Sequence, residues 1–352
     1  MKIINAQDIG HLSHKKFESS KSKGREFGIR VDEEKEPVDP FLLDCCKLLD
    51  SKGLRRLQNK TQVFIFPQNP HVRTRMTHSN EVVALSIKIA HLLGLNEYLC
   101  QAISLGHDIG HVPYGHTGER FIGSVLGKKF RHEIFGTVLC RFIERKGSGL
   151  NLCYETLEGI FHHSSKDGTQ SDIGHEVLEY KVVFFADKIA YTFADMNDFV
   201  RYRNFDESSL PKSVLKLGRN QRERVASCVH ALVKESIEKE MISFSDCEEA
   251  VLFDEIRRWM FENMYHKERE DELKLALSLT YEYLSQESRF NEIQPALLLA
   301  LMTDKELSEI MNIIFTSRSI QYYDIRNFGF VEIVPHLLGK NIDMCSFNYP
   351  ST

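Results

Sequence analysis

Between Gly106 and Glu119 the chain reads Gly-His-Asp-Ile-Gly-His-Val-Pro-Tyr-Gly-His-Thr-Gly-Glu, and no other stretch restricts its fold and chemistry so closely. Three histidines (His107, His111, His116), one aspartate and one glutamate stand among glycines and a proline. A solvated loop can be polar and glycine-rich, but it has no need to gather imidazoles. The adjacent His107 and Asp108 offer one neutral nitrogen and one anionic oxygen, a ligand set that suits Mn, Fe, Ni or Mg rather than a thiolate zinc site. The stretch reads as a metal or phosphate site that rigid neighbours must hold.

Seven of the fifteen histidines (71, 78, 91, 107, 111, 116 and 132) fall between residues 71 and 132, so the imidazoles cluster rather than scatter. His91 is set aside, because it stands late in an amphipathic helix where a packed or exposed histidine is the ordinary outcome. A second signal lies in residues 182–198, which are too apolar for a solvated face yet carry Asp187, Tyr191 and Asp195 at i, i+4 and i+8. On a helix these align on one side. An aspartate in such a helix is costly unless it meets a cation or several donors; beside a histidine cluster short of a second acidic ligand, a metal is the better reading. A third signal is Arg73-Thr-Arg-Met-Thr-His78-Ser-Asn-Glu81, where two arginines and a histidine precede an expected helix start at Ser79, a place suited to phosphate.

Around these signals helical spacing dominates. Val82, Leu85, Ile89 and Leu92 form one stripe, stopped at Gly94. Further helices are expected from Asn96 to His107 and over 118–126, 132–145, 152–162, 176–200, 210–217, 220–241, 247–265, 270–286, 294–302 and 304–315. Only 61–66 and 328–334 alternate like strands. The expected fold is mainly α. Residues 1–38 read as an irregular arm, 39–205 as a helical core, and 206–352 as a helical C-terminal region packed on it.

Bulk properties set the class. A formal charge of −5 gives no reason for general nucleic-acid affinity, and the eight cysteines include no Cys-x-x-Cys pair, which argues against a zinc ribbon or disulfide framework. The apolar run Pro295–Met302 is too short to span a bilayer, and the first residues lack the apolar core of a secretory signal. These features predict a soluble, cytoplasmic protein.

The order His78, His107-Asp108, Asp187 resembles the HD-domain metal-dependent phosphohydrolases. Blocks at 54–64, 73–82, 107–119, 157–160 and 186–191 narrow the resemblance to the deoxyguanosinetriphosphate triphosphohydrolase branch, over residues 40–200. The resemblance implies an HD-domain helical core with a helical C-terminal extension. It implies one divalent metal ion (Mn, Mg, Fe or Ni) on His78, His107, Asp108 and Asp187, and a catalytic pair His116 and Glu119 with His111 beside it. It places His111, His132, Arg75, Lys188 and Tyr191 at the phosphates, Gln62 and Val63 at the sugar, and Asp195 near triphosphate or sugar. Arg318 and Arg326 are candidates to complete the triphosphate site.

The implied reaction is hydrolysis of a deoxynucleoside triphosphate, dGTP favoured, to deoxynucleoside and inorganic triphosphate. The competing readings are another HD phosphohydrolase (a 5′-deoxynucleotidase or a cyclic-nucleotide phosphodiesterase) and a nucleotide- or single-stranded-DNA-binding module. The resemblance further implies a homo-oligomer, hexamer or tetramer, and leaves a nucleotide effector open; nothing in the charge supports DNA binding, and no membrane partner is expected.

Overall fold

Asp39 caps the first helix: its carboxylate accepts from the Phe41 and Leu42 amides, and Pro40 follows at the first helical position, where its missing N–H costs nothing. The same grammar recurs along the chain. The computed structural model describes residues 9–28, 38–64, 69–164, 177–203, 205–265, 270–316 and 328–347. In the first half α1 (Pro40–Leu49) and α2 (Lys52–Arg56) lead to α3 (Arg75–Leu93) and α4 (Glu97–Gly106). Then come α5 (Gly115–Leu126), α6 (His132–Val138), the four-residue α7 (Glu144–Gly147), α8 (Tyr154–His162) and α9 (Leu178–Arg203). The second half holds α10 (Lys212–Leu217), α11 (Gln221–Lys239), α12 (Glu248–Asn263), α13 (Glu270–Gln286), α14 (Pro295–Leu301) and α15 (Asp304–Thr316).

The mainly α class expected from the sequence is what the structure has, and among the described residues there is no strand longer than an isolated bridge. Nor is any described helix long and apolar enough to cross a membrane. Helix α3 packs on α4 and α9, and α4 also on α1 and α8. Their apolar faces, including Val82, Ile89, Leu99, Ile103, Val183 and Ile189, build one core that α11 and α12 complete with Val229, Leu232 and Phe253. A second core joins α5 and α6 to α13, α14 and α15 through Phe135, Leu277, Leu298 and Phe330. The C-terminal helices therefore divide between the two cores.

Several expectations need correction. Helix α3 begins at Arg75, not Ser79, because Thr74 and Thr77 form a capping box in which each side chain meets the other's backbone amide. His78 thus stands inside the helix. The expected helix over 132–145 holds its α form only to Val138; a π-type turn covers Leu139–Ile143, and Arg145 and Lys146 adopt positive φ. Neither expected strand forms. Thr61 makes a single bridge to Thr74, and its amide donates to the Asp304 carboxylate instead of to a ladder; residues 65 and 66 lie outside the described ones. Over 328–334 the chain turns, and buried Phe330, Ile333 and Val334 show the i, i+3, i+4 spacing of helical turns around exposed Glu332. The part of the arm over 9–28 is irregular, as expected, yet it is docked: Gly10 and Leu12 donate to the Leu92 and Leu93 carbonyls, and Leu12 is fully buried.

Gly110 sets the path of the histidine-rich loop. A methyl group on its Cα would collide with the His132 carbonyl and the Gly136 amide of α6. Neither backbone atom can move without shifting α6, so Gly110→Ala should destabilise the fold by about 3 kcal/mol or more. The expected result is a melting temperature lower by on the order of 5 °C, read by differential scanning calorimetry; an unchanged value would mean that the loop and α6 are not in this contact.

Candidate metal centre and active site

Helices α3 and α9 and the turn that follows α4 each deliver ligand-type atoms to one point. His78 Nε2 lies 2.9 Å from Asp187 Oδ1. His107 Nε2 lies 3.5 Å from Asp108 Oδ1 and 3.8 Å from Asp187 Oδ1. Ligands about 2.1 Å from a common ion stand roughly 3–3.5 Å apart, so these spacings suit one cation. The His107 tautomer suits it too. His107 Nδ1 donates to the Ser104 carbonyl at 2.7 Å, which leaves a lone pair on Nε2; that atom is buried and has no hydrogen-bond partner. An apolar core with an orphaned imidazole nitrogen facing two carboxylates fits a divalent cation. Burial opposes ionisation of Asp108, but His107, His111 and the Arg75 guanidinium hold its carboxyl well below the usual range. Burial likewise opposes ionisation of Asp187, but the His78 hydrogen bond and the His107 and His78 imidazoles together hold its carboxyl below the usual value.

A second group stands beside the first. Glu119 Oε1 lies 2.9 Å from His132 Nδ1, 3.3 Å from His111 Nδ1 and 3.4 Å from His116 Nδ1. His111 stacks on His132 with ring centroids 3.7 Å apart, and its Nε2 is 3.1 Å from Asp108 Oδ1. His111 thereby touches both groups. Burial, then Arg75 and His132, push the His111 imidazole down to about 4. For His132 burial works against the charge, but Glu133 and Glu119 outweigh it and lift the imidazole to about 9. His116 alone faces solvent, its side chain 73 % exposed, and so has room to meet an incoming molecule.

On the far side, Tyr191 and Asp195 follow Asp187 along α9, and each meets a partner from outside that helix. Arg257 of α12 donates to Tyr191 Oη at 3.2 Å, and Tyr265 Oη donates to Asp195 Oδ2 at 2.9 Å. Lys188 lies over the Phe184 ring, and burial, with Arg257 nearby, pushes its amine down to about 7. Burial also pushes the Asp195 carboxyl up to about 7.

Two other expectations shift. Arg75 donates to Asp108 Oδ2 at 3.0 Å, and Arg73 is engaged by Glu81, Asp198 and Gln221, so neither guanidinium stands open at a helix start. Gln62 and Val63 follow the Thr61 bridge to Thr74; the Gln62 Oε1 is buried without a partner, and among the described residues no hydrogen bond ties either residue to the histidines. Arg318 and Arg326 lie outside the described residues. His91 is exposed and paired with Glu97.

Sequence reasoning missed four residues. His163 contacts His132; Arg257 and Tyr265 reach α9 from the second half; and buried Lys60 donates to the His111 carbonyl. None lies in a local pattern that announces it. Asp304 had a faint signal as the opening of the 304–315 helix. Its carboxylate accepts from the amides of Thr61 and Tyr114, the latter at positive φ.

Fold and site together define an HD-domain phosphohydrolase: residues 75–192 match the HD domain family, and that span contains all four ligand-type residues. A deoxyguanosinetriphosphate triphosphohydrolase-like protein of Clostridium tetani is 36 % identical over 276 residues, which cover 76 % of this chain and 79 % of the relative. A protein of the same name from Caldanaerobacter subterraneus is 38 % identical over 267 residues, covering 75 % and 76 %. One from Rhodopseudomonas palustris is 37 % identical over 193 residues, covering 46 % and 48 %. The chain belongs to the deoxyguanosinetriphosphate triphosphohydrolase-like family.

Asp187→Ala should abolish tight divalent-metal binding; inductively coupled plasma mass spectrometry reads it, and normal metal content would remove Asp187 from the ligand set. Asp195 gives a pH signature. Its folded-state value of about 7 exceeds the ordinary carboxyl value of 3.8, so the folded form retains a proton that the unfolded form releases. The folded state therefore loses stability as pH rises through that window. Asp195→Asn removes the loss, and its melting temperature relative to the parent should rise between about pH 5 and about pH 8. The same difference at both pH values would contradict this.

Proposed function

We propose that the protein hydrolyses deoxynucleoside triphosphates, dGTP foremost, to deoxynucleoside and inorganic triphosphate, with one divalent cation on His78, His107, Asp108 and Asp187. The observation that carries this reading is the convergence of those four side chains beside a carboxylate, Glu119, that faces three imidazoles. The bound cation would polarise a phosphoryl oxygen and take up charge as it develops.

The protein's own groups do the rest. Water attacks the α-phosphorus, the bond from phosphorus to the 5′ oxygen breaks, and that oxygen leaves with a proton. His116, exposed and oriented by Glu119, is the group placed to move a proton there. Lys188 and Arg257 supply positive charge for the triphosphate, and Tyr191 offers a ring face to a sugar. The name shared by the relatives, deoxyguanosinetriphosphate triphosphohydrolase-like protein, supports dGTP as first choice.

The test is product identification by anion-exchange chromatography after incubation with each dNTP and with GTP, in Mn²⁺ or Mg²⁺. Triphosphate and deoxynucleoside should appear together. Orthophosphate, pyrophosphate or a nucleoside monophosphate in their place would overturn cleavage between the α-phosphorus and the 5′ oxygen.

A further inference from the structure

His132 has no ring nitrogen left over. Its Nδ1 lies 2.9 Å from Glu119 Oε1, and its Nε2 lies 3.3 Å from Nε2 of His163. His163 is 3 % exposed, and its own Nδ1 donates to the Ile160 carbonyl at 2.7 Å. These contacts place the protons. A carbonyl only accepts, so His163 Nδ1 carries a hydrogen, and the neutral ring keeps a lone pair on Nε2. His132 must then donate from Nε2. The Glu119 carboxylate also only accepts, so His132 donates from Nδ1 as well and carries both protons.

The pair cannot easily rearrange. The His132 ring is stacked on His111, its backbone carbonyl is pressed against Gly110, and His163 stands edge-on to His107 and tilted against His132, with centroids 5.2 Å from each. Two buried imidazoles are an expensive way to fill space that a leucine or phenylalanine fills without unsatisfied nitrogens. Their arrangement leads instead to the reacting side of the site: His163 to His132, His132 to Glu119, Glu119 to the exposed His116.

We infer that His163 is a positioning residue: by accepting from His132 Nε2 it fixes that ring as a double donor, and the ring fixes the Glu119 carboxylate for His116. His132 therefore offers substrate its charge but no free N–H, which differs from the direct phosphate contact expected from the sequence. The inference rests on the proposed phosphohydrolase chemistry of this site only for its kinetic consequence, not for the hydrogen-bond arrangement itself.

Four variants and one spectrum test it. In the metal-loaded enzyme, His163→Leu should keep its metal content, lose about 10- to 100-fold in kcat, and change KM by less than about threefold. His163→Gln, whose amide oxygen can stand where the Nε2 lone pair was, should restore kcat to within about threefold of the parent. If His163 acts through His132, the double variant His132→Gln/His163→Leu should be no slower than His132→Gln alone. A raised KM at unchanged kcat, a glutamine variant as slow as the leucine variant, or additive losses would each overturn the proposal. Nitrogen-15 NMR of histidine-labelled, Mg²⁺-loaded protein reads the arrangement without turnover: His132 should carry protons on both nitrogens, and His163→Leu should remove the protected Nε2 signal. A singly protonated His132 in the parent would refute the inference even in an active enzyme. Absence of hydrolysis with a doubly protonated His132 would instead refute the proposed reaction and leave the positioning intact.

Discussion

Two carboxylates, Asp108 and Asp187, are held ionised among apolar helices, and the site is arranged around that constraint. Taking a carboxylate out of water costs several kcal/mol unless charge and hydrogen bonds are returned to it. Here the return comes from His78, His107, His111 and Arg75, drawn from α3, the end of α4 and the loop after it. Helix α9 supplies Asp187 within an otherwise apolar run that forms much of the first core. The same helix therefore serves packing and chemistry, and its register admits little change: one residue of slip would turn Asp187 away from His78.

The second carboxylate system solves the same problem differently. Among the described residues, Glu119 pairs with imidazoles and with no arginine or lysine. It is held well below the usual range despite burial, first by His132, with His111 and His116 nearby adding to the effect. Positive charge in this corner is thus carried by an imidazole, which can be adjusted by its neighbours in a way that a guanidinium cannot. His111 bridges the two systems, stacked on His132 and bonded to Asp108, so displacement at either one is felt at the other.

Much of this was legible in the sequence, and the limits have physical causes. The ligand-type residues stood out because imidazoles and carboxylates are conspicuous in apolar or glycine-rich surroundings, as His107-Asp108 and Asp187 are. Helix α3 was readable from Val82, Ile89 and the Gly94 stop, but its start was misplaced because Thr77 took the capping-box position where an acidic residue or glutamine is the usual sign. Residues 328–334 alternate on paper, yet their burial follows helical turns, a distinction that short apolar runs do not carry. His163, Arg257 and Lys60 were invisible for another reason. Each acts on a partner 31 to 66 positions away, and nothing in its own neighbourhood marks it.

Asp304 illustrates a consequence for how the molecule is made. The four ligand-type residues have all been synthesised by position 187, and by then most of the site's imidazoles are in the chain. Tyr114, however, sits in a left-handed conformation that costs a non-glycine residue roughly 1 kcal/mol, and its amide and that of Thr61 are satisfied by a carboxylate at position 304. The loop that carries His111 and leads into His116 thus waits for a residue 190 positions downstream of Tyr114. A nascent chain can gather these residues early, but the histidine-rich loop is braced only when Asp304 and the helix it opens have emerged and docked, which ties assembly of the site to a late stage of synthesis.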